Sequence, residues 1–232
     1  MCTLTVWRSA ARLILTMNRD DAAARPEAPP RLWADRDACF VAPVDLEAGG
    51  AWIGLNPHGV IACLLNRHDV AAKGERSRGG VVVTAMAGVD APHAAARVEA
   101  LDHRLYAPFT CLIVAQAECQ RIDWNGEHCE RSAVRAMTPW MITSSSWRID
   151  EVRVRREALF AAHMANGGAE AALSAFHCQH HPGEEAWAPM MRRETSQTKS
   201  ITQVRIDGAG AEMRYWRRER AIAKGLVAPD HT

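Results

Sequence analysis

The chain has 232 residues, is 48% apolar, and carries 28 basic against 27 acidic residues. This composition supports a sizeable core and argues against disorder, and the balanced charge excludes a global electrostatic attraction to nucleic acid or anionic membranes. Seven irregularly spaced cysteines argue against a disulfide framework and favour a reducing compartment.

Arg8 and Arg12 interrupt the first apolar stretch, so a signal peptide is not expected. No run reaches the ~18 apolar residues that span a bilayer. We therefore expect a cytoplasmic protein without a membrane span. Because neither an internal repeat nor a linker divides the chain, we expect a single domain over residues 1–232.

The first part of the chain predicts two β-hairpins. Apolar segments at 3–6 and 13–17 flank a short polar connection and form the first. Residues 25–30 are predicted to be a loop, because their prolines remove backbone donors and fix φ. Residues 51–65 predict a second hairpin, with its turn at Asn56-Pro57-His58-Gly59 and its end at Asn66.

The remainder predicts further strands with a few helices. Residues 67–80 are typical of a mobile loop near a site, and 81–87 fit either a strand or a helix. Strand patterns lie at 110–115, 120–124, 140–143, 200–206 and 213–216, with a hairpin turn at Asn125-Gly126. Asp90-Ala91-Pro92 is a helix-start signature, and a helical pattern follows at 94–106. Further helical patterns lie at 150–166 and 169–176, the first of these two ending at Asn166-Gly167-Gly168. Many hairpins with two or three helices favour α+β architecture, with stacked antiparallel sheets covered by helices.

Cys2 is the first candidate catalytic residue. Removal of Met1 would leave its thiol beside a free α-amine, and the two groups titrate near ~8.5 and ~7.7–8.0, so the amine can act as base. An N-terminal nucleophile of this kind needs no histidine. The alternative is that Cys2 is a small buried hydrophobe, and Cys2 taken alone favours that alternative.

Asn18, Arg19, Asp20 and Asp21 close the strand that is predicted to pair with the strand of Cys2. Such a polar run is usually a solvated turn. Beside Cys2, however, an arginine could stabilise a thiolate and an aspartate could hold the amine.

Two further polar clusters have simpler interpretations. His177 and His181 would share a helix face, whereas Cys178 and His180 would share a strand face, and either pair could ligate zinc or an iron porphyrin. Without a standard motif, a polar helix end is favoured. The basic, aromatic run at 214–220 is predicted to be an edge strand leading into a solvated tail rather than a nucleic-acid site.

Several motifs closely resemble the NRDE family, also called the transport-and-Golgi-organisation family. They are the Met-Cys-Thr-Leu start, the tetrad at 18–21, and the segments 48–56, 59–62, 65–67 and 77–79. The tetrad of the family normally ends in Glu, where this chain has Asp21. The resemblance is specific over residues 1–80 and then continues mainly at 143–145 and 198–200.

That family in turn resembles the cysteine N-terminal nucleophile (Ntn) hydrolases, including penicillin V acylases and bile-salt hydrolases. The resemblance implies a four-layer αββα sandwich and hydrolysis of a non-peptide linear amide bond. It implies that Cys2 is the nucleophile and that Arg19 supports the thiolate. It also implies that Asp20 or Asp21 positions the amine, with Asp20 favoured, and that Asn66 is an oxyanion-hole donor.

The same resemblance implies weaker counterparts for the rest of the site. Ser144 or Ser145 stands where the acylases have a second oxyanion asparagine, and Arg192 or Arg193 could supply their late active-site arginine. The residues that we assign to substrate binding are Asn18, Asp21, Trp52, Asn56, Ser144, Ser145 and Arg193.

We therefore expect a small-molecule amide substrate, no cofactor, no metal and no nucleic-acid partner, and the sequence leaves a homo-oligomer open. The alternative, which the family also implies, is a non-enzymatic protein that binds or traffics a hydrophobic ligand such as a lipid or haem.

Overall fold

The computed structural model describes residues 2–35, 37–135, 139–165, 169–227 and 229–230. The chain divides into two compact units, one made of Met1–Arg25 with Met137–Thr232 and the other of Pro26–Ala136. Each unit contains one antiparallel sheet and its own helices, which confirms the predicted α+β class. The single domain over residues 1–232 stays a prediction.

The strands, in chain order, are β1 (Cys2–Arg8), β2 (Leu13–Ala22), β3 (Glu27–Asp35), β4 (Ala38–Asp45), β5 (Ile53–Leu55), β6 (Ile61–Asn66), β7 (Phe109–Val114), β8 (Cys119–Trp124), β9 (Cys129–Ala133), β10 (Trp140–Ser144), β11 (Ser196–Asp207) and β12 (Gly210–Arg217). The helices are α1 (Gly79–Ala85), α2 (Ala91–Glu99), α3 (Ile149–Ala165), α4 (Ala169–Cys178) and α5 (Arg218–Lys224). A short 3-10 helix covers His103–Leu105.

The first unit has a five-stranded sheet in the order β10-β1-β2-β11-β12. The predicted first hairpin is confirmed as β1 and β2. β2 continues through residues 18–21, so the polar tetrad lies in a strand and not in a solvated turn. Cys2 pairs with Arg19 on one side and with Ser144 on the other. The start of β1 therefore lies between the polar end of β2 and the end of β10.

The helices of the first unit follow the sequence prediction closely. α3 and α4 cover the predicted segments, and the predicted stop at Asn166-Gly167-Gly168 lies outside the described residues. β12 is an edge strand, as predicted. The solvated tail after it is wrong: α5 follows, and Arg218 is buried and donates a hydrogen bond to the Met191 carbonyl at 2.8 Å. The local sequence pattern could not predict this burial, because the carbonyl that accepts the hydrogen bond lies 27 residues away in the chain.

The second unit has a seven-stranded sheet in the order β3-β4-β5-β6-β7-β8-β9. The predicted second hairpin is confirmed as β5 and β6. The loop predicted at 25–30 is wrong, because β3 begins at Glu27 and includes Pro29 and Pro30. β3 is an edge strand and its register shifts between Ala28 and Arg31. Proline is tolerated there because an edge strand or a bulge does not need every backbone donor.

One face of the seven-stranded sheet packs against α1 and α2, which form the core with strands β4, β6, β7 and β8. The segment 81–87, which the sequence leaves open between strand and helix, is helical as far as Ala85. α2 begins at the predicted position, where the Asp90 carboxylate accepts a hydrogen bond from the His93 amide at 2.8 Å. It ends at Glu99, earlier than predicted, and the 3-10 helix follows after a short break.

Candidate active site

Cys2 lies at the start of β1 and is 6% exposed. Its backbone nitrogen donates a hydrogen bond to Ser144 Oγ at 3.2 Å, and its carbonyl accepts one from Thr143 Oγ1 at 3.2 Å. Burial raises the pKa of the Cys2 thiol, and the charge of Asp20 adds to that rise. The Asp20 backbone amide and the Arg19 guanidinium act in the opposite direction on the same pKa. The resting sulfur is therefore a buried thiol with groups around it that favour its anion.

Arg19 and Asp21 form an ion pair beside Cys2. Arg19 Nη2 lies 2.9 Å from Asp21 Oδ2, and Arg25 Nε lies 3.5 Å from the same oxygen. The side chain of Arg19 is 4% exposed and that of Asp21 is 30% exposed. Directly paired residues of neighbouring strands point to the same face, so Arg19 shares the face of Cys2. Asp21 is thus engaged in holding the arginine.

Asp20 is buried and has a different set of partners. Its Oδ1 accepts a hydrogen bond from Thr198 Oγ1 at 2.5 Å, and its Oδ2 lies 3.7 Å from Arg156 Nη1. Successive side chains of a strand alternate between faces, so Asp20 lies on the face opposite to Arg19. Of the two carboxylates, Asp20 is the one whose charge acts on the Cys2 thiol.

Arg156 is a functional candidate that sequence reasoning missed. It lies on α3, its side chain is 1% exposed, and it faces the strands that carry Cys2 and Asp20. Its guanidinium donates to two hydroxyls and two carbonyls: Thr3 Oγ1, Thr143 Oγ1 at 3.0 Å, Trp187 O at 3.0 Å and Ala188 O at 2.7 Å. Burial lowers the pKa of Arg156, whereas the charges of Asp20 and Cys2 raise it. Helical periodicity gave no signal, because a charged residue on a helix is usually exposed.

His177 and Asn18 form a second buried polar group. Asn18 Nδ2 donates to the carbonyls of His177 at 3.0 Å and Pro189 at 2.8 Å, which turns its Oδ1 toward His177 Nδ1 at 2.6 Å. His177 Nδ1 therefore carries the proton, and Nε2 accepts from Thr5 Oγ1 at 2.7 Å. Burial lowers the pKa of His177 to about 3, and the charge of Arg156 adds to that lowering.

This geometry bears on two of the sequence-based interpretations. Asn18 links β2 to α4 through both of its amide atoms, and its role in substrate binding stays a prediction. His177 is occupied at both ring nitrogens, so it does not pair with His181 as a metal or haem ligand. Across the described residues, no three His, Cys, Asp or Glu side chains are grouped to hold a metal ion.

Ser144, Ser145 and Arg193 continue the site after β10. Ser144 Oγ accepts the hydrogen bond that the Cys2 nitrogen donates. Ser145 Oγ accepts from Arg193 Nη2 at 3.3 Å and donates to the Trp147 carbonyl at 2.6 Å. Arg193 also donates twice to the Ala186 carbonyl, at 3.1 and 3.0 Å. The three residues are thus close in the first unit.

Trp52, Asn56 and Asn66 belong to the second unit. Asn56 closes the turn of the β5–β6 hairpin: Nδ2 donates to the carbonyls of Met86 and Gly88, and Oδ1 accepts from two amides of the turn. These four bonds give Asn56 a structural role, and its role in substrate binding stays a prediction. Trp52 is buried, and Asn66 ends β6 opposite Phe109. The roles of Trp52 and Asn66 beside Cys2 stay predictions.

In the described part of the chain, no helix combines the length and the apolar character needed to cross a membrane. Among curated proteins, no sequence matches this chain significantly. The sequence profile of the transport and Golgi organisation 2 family matches residues 1–206.

Several solved structures have a similar fold. The Caenorhabditis elegans ortholog of N-acylethanolamine-hydrolyzing acid amidase is 11% identical, with a TM-score of 0.59 over 87% of this chain and 92% of that chain. An arginine-to-leucine variant of conjugated bile acid hydrolase from Clostridium perfringens is 8% identical, with a TM-score of 0.52 over 94% and 93%. Penicillin V acylase from Agrobacterium tumefaciens is 12% identical, with a TM-score of 0.49 over 95% and 87%.

The first two likenesses establish the fold of the Ntn hydrolases, as the sequence resemblance predicted. At such low identity they establish nothing finer than the fold. The family profile covers most of the chain, from residue 1 to residue 206. The chain therefore belongs to the transport and Golgi organisation 2 family.

Proposed function

We propose that this protein is an Ntn-type amidohydrolase in which Cys2, exposed as the N-terminal residue by removal of Met1, cleaves a linear non-peptide amide. The observation that carries the proposal is the setting of Cys2 between two strands. Its nitrogen is 3.2 Å from Ser144 Oγ, and Arg19 is its partner on β2. Removal of Met1 converts that nitrogen from a peptide amide into an amine that can accept a proton.

The reaction begins when the α-amine takes the proton of the Cys2 thiol. The thiolate attacks the substrate carbonyl carbon, a C–S bond forms, and the carbonyl oxygen becomes an oxyanion, for which Asn66 is the proposed donor. The C–N bond then breaks as the leaving amine takes the proton from the α-ammonium. Water, activated by the same amine, hydrolyses the thioester and releases the acid.

The charged neighbours have distinct roles in this scheme. Arg19 favours the thiolate by its positive charge and is held in place by Asp21. Asp20, whose charge acts on Cys2, is proposed to favour the ammonium that forms after proton transfer. Arg156 holds Asp20 and the hydroxyls of Thr3 and Thr143, and it acts as a positioning residue.

Two structural comparisons support a hydrolase. The two solved structures with TM-scores of 0.59 and 0.52 are named as an acid amidase and a bile acid hydrolase. These names describe those proteins, and they make C–N bond hydrolysis the reaction class to test first.

The test is a panel of N-acyl amides assayed with the wild-type protein, Cys2→Ala and Cys129→Ala. Cys129 is an exposed thiol in the second unit and serves as the matched control. We expect release of acid and amine by the wild type and by Cys129→Ala, and none by Cys2→Ala. Equal turnover by Cys2→Ala would refute the proposed nucleophile.

A second candidate function is binding of a hydrophobic ligand without catalysis. A groove of about 420 Å³ between α3 and α4 is lined by Leu159, Ala162, His163, Ala175, Gln179 and His181. Both imidazoles are hydrogen-bonded to Gln179, so a haem iron would have to displace one of these bonds, and an acyl chain fits the groove more directly.

Two titrations distinguish haem from a lipid as the ligand. Haem and a fluorescent fatty acid are each titrated into the wild type and into a His163→Ala His181→Ala variant. A haem spectrum that is perturbed in the wild type alone would favour haem. Fatty-acid binding that Leu159→Trp abolishes would favour a lipid. The absence of both signals would exclude this candidate.

A further inference from the structure

Two imidazoles and one amide meet in the groove between α3 and α4, and we name them the His–Gln–His cluster: His163, Gln179 and His181. Gln179 Oε1 is hydrogen-bonded to His163 Nε2, and Gln179 Nε2 lies 2.6 Å from His181 Nε2. One amide group therefore bonds an imidazole nitrogen at each of its two polar atoms. Because both rings present Nε2 to the same small group, the two nitrogens converge on one place in the groove.

The fold holds each member of the cluster in position. His163 lies on α3 and packs edge to face against the buried Phe176, with ring centroids 6.1 Å apart. The backbone amide of Gln179 donates a hydrogen bond to the Phe176 carbonyl at 3.1 Å, and the His181 carbonyl accepts one from the Glu184 amide at 3.0 Å. The convergence of the two rings therefore exists before any ligand binds, which lowers the entropy cost of binding.

The donor set suits a divalent transition-metal ion. Neutral imidazole is a ligand for Zn²⁺, Cu²⁺ and Ni²⁺, and an amide oxygen and water can complete the coordination. The hydrogen bonds that now join the three side chains link neutral groups, and such bonds contribute little net stability because water can replace them. A metal ion that binds both Nε2 lone pairs, with each ring carrying its proton on Nδ1, would therefore displace only weak interactions.

The groove is open to a hydrated ion and does not repel it. Its volume is about 420 Å³, and His181 is exposed. The other lining residues are Leu159, Ala162 and Ala175, so none of the lining side chains outside the cluster carries a charge. Within the described residues no three His, Cys, Asp or Glu side chains are grouped, and the cluster differs from such a group because its third donor is an amide. Three protein donors with positions left for water are typical of an open metal site.

We infer that the His–Gln–His cluster binds a divalent transition-metal ion of the Zn²⁺ type through His163 Nε2, His181 Nε2 and Gln179 Oε1. His163 belongs to α3, whereas Gln179 and His181 follow α4, so the bound ion would join the two helices. These helices carry Arg156 and His177, whose side chains are hydrogen-bonded to hydroxyls of β1. Metal binding should therefore stabilise the first unit. The inference goes beyond the proposed function and is independent of amide hydrolysis.

The test measures metal binding to the full chain without a histidine tag. The exposed thiols of Cys39 and Cys129 are first replaced by serine, because thiolates also bind these metals. Titration calorimetry with Ni²⁺ and with Zn²⁺ gives the affinity and the number of ions per chain. Mg²⁺ is titrated in parallel, because it is a hard ion that requires oxygen ligands and should not bind to imidazoles.

The variants, made in the same background, separate the cluster from other histidines. His163→Ala and His181→Ala each remove one imidazole ligand, and Gln179→Glu replaces the amide oxygen by a carboxylate oxygen of the same reach. The matched control is His180→Ala, because His180 is an exposed neighbour whose Nδ1 lies 3.1 Å from the Cys178 carbonyl and not at the cluster. Thermal melts with and without metal provide a second readout.

We expect one Ni²⁺ or Zn²⁺ ion per chain, no Mg²⁺, and a melting temperature that rises with the transition metal. Each alanine variant of the cluster should weaken binding by about tenfold or more, and His180→Ala should leave the affinity unchanged. Gln179→Glu should tighten binding by about tenfold, a gain that a misfolded variant could not produce. The absence of binding, equal affinity in His163→Ala and the background protein, an equal loss in His180→Ala, or no gain in Gln179→Glu would overturn the inference.

Discussion

Replacing Arg156 by methionine is expected to lower the free energy of unfolding by about 3–5 kcal/mol, the usual loss when one partner of a buried ion pair is removed. Arg156 is 1% exposed, so water cannot replace it freely. The variant leaves Asp20 buried without the guanidinium that lies 3.7 Å away, and it removes the donors to the Trp187 and Ala188 carbonyls. Each buried group left unpaired costs about 1–3 kcal/mol, which agrees with the total.

Urea unfolding followed by circular dichroism measures the change as a shift of the midpoint at constant slope. Arg153→Met on the same helix is the control, and because its side chain is 53% exposed we expect a change within about 0.5 kcal/mol. Arg156→Lys should recover part of the loss, since it restores the charge but not the planar set of donors.

A double-mutant cycle with Asp20→Asn tests the pairing itself. The double variant should be more stable than the sum of the single losses predicts, by at least about 1 kcal/mol, because the second substitution removes the buried charge that the first deprives of its guanidinium. A loss below 1 kcal/mol in Arg156→Met, or strict additivity in the cycle, would refute the reasoning.

Two further predictions concern stability. Because burial holds the pKa of His177 at about 3 against an unfolded value near 6.5, its neutral ring contributes stability that is complete above pH 6.5 and is lost as the pH falls toward 3. The unfolding free energy of the wild type should therefore fall more steeply than that of His177→Gln, by about 1.4 kcal/mol per pH unit between pH 6 and 4; parallel curves would contradict the neutral buried imidazole. Gly88→Ala should destabilise the second unit, because the new Cβ would lie 2.4 Å from the Ala94 nitrogen, whereas Gly80→Ala in α1 meets no atom within 4 Å and should be neutral or stabilising by up to about 1 kcal/mol. Thermal melts of both glycine variants check this pair, and equal melting temperatures would refute it.

The parts of the fold that the sequence predicted well are those determined by local pattern. The β1–β2 hairpin follows from two apolar segments on either side of a short polar connection, and its register brings Arg19 opposite Cys2. The helices α3 and α4 follow from their periodicity in the same way. Pro29 and Pro30 misled the prediction because their cost depends on whether the strand lies at an edge, which only the assembled sheet determines.

The site was predicted less completely, for a physical reason. Arg156 and Thr3 are separated by 153 positions in the chain. Whether a polar side chain can be buried depends on such distant hydrogen-bond partners. His177 was predicted to belong to a polar helix end, whereas it is completely buried and hydrogen-bonded to Thr5 and Asn18. A charged or polar residue that becomes buried cannot be recognised from its neighbours in the chain.

The central claim is that Cys2 becomes the N-terminal residue and acts as the nucleophile. The most direct measurement is peptide mapping by mass spectrometry after reaction of the purified protein with a thiol-directed amide mimic. The account predicts an N-terminal peptide that begins at Cys2 and carries the label, while Cys2→Ala carries none at that position. A peptide that retains Met1, or a label confined to exposed thiols such as Cys39 and Cys129, would contradict it.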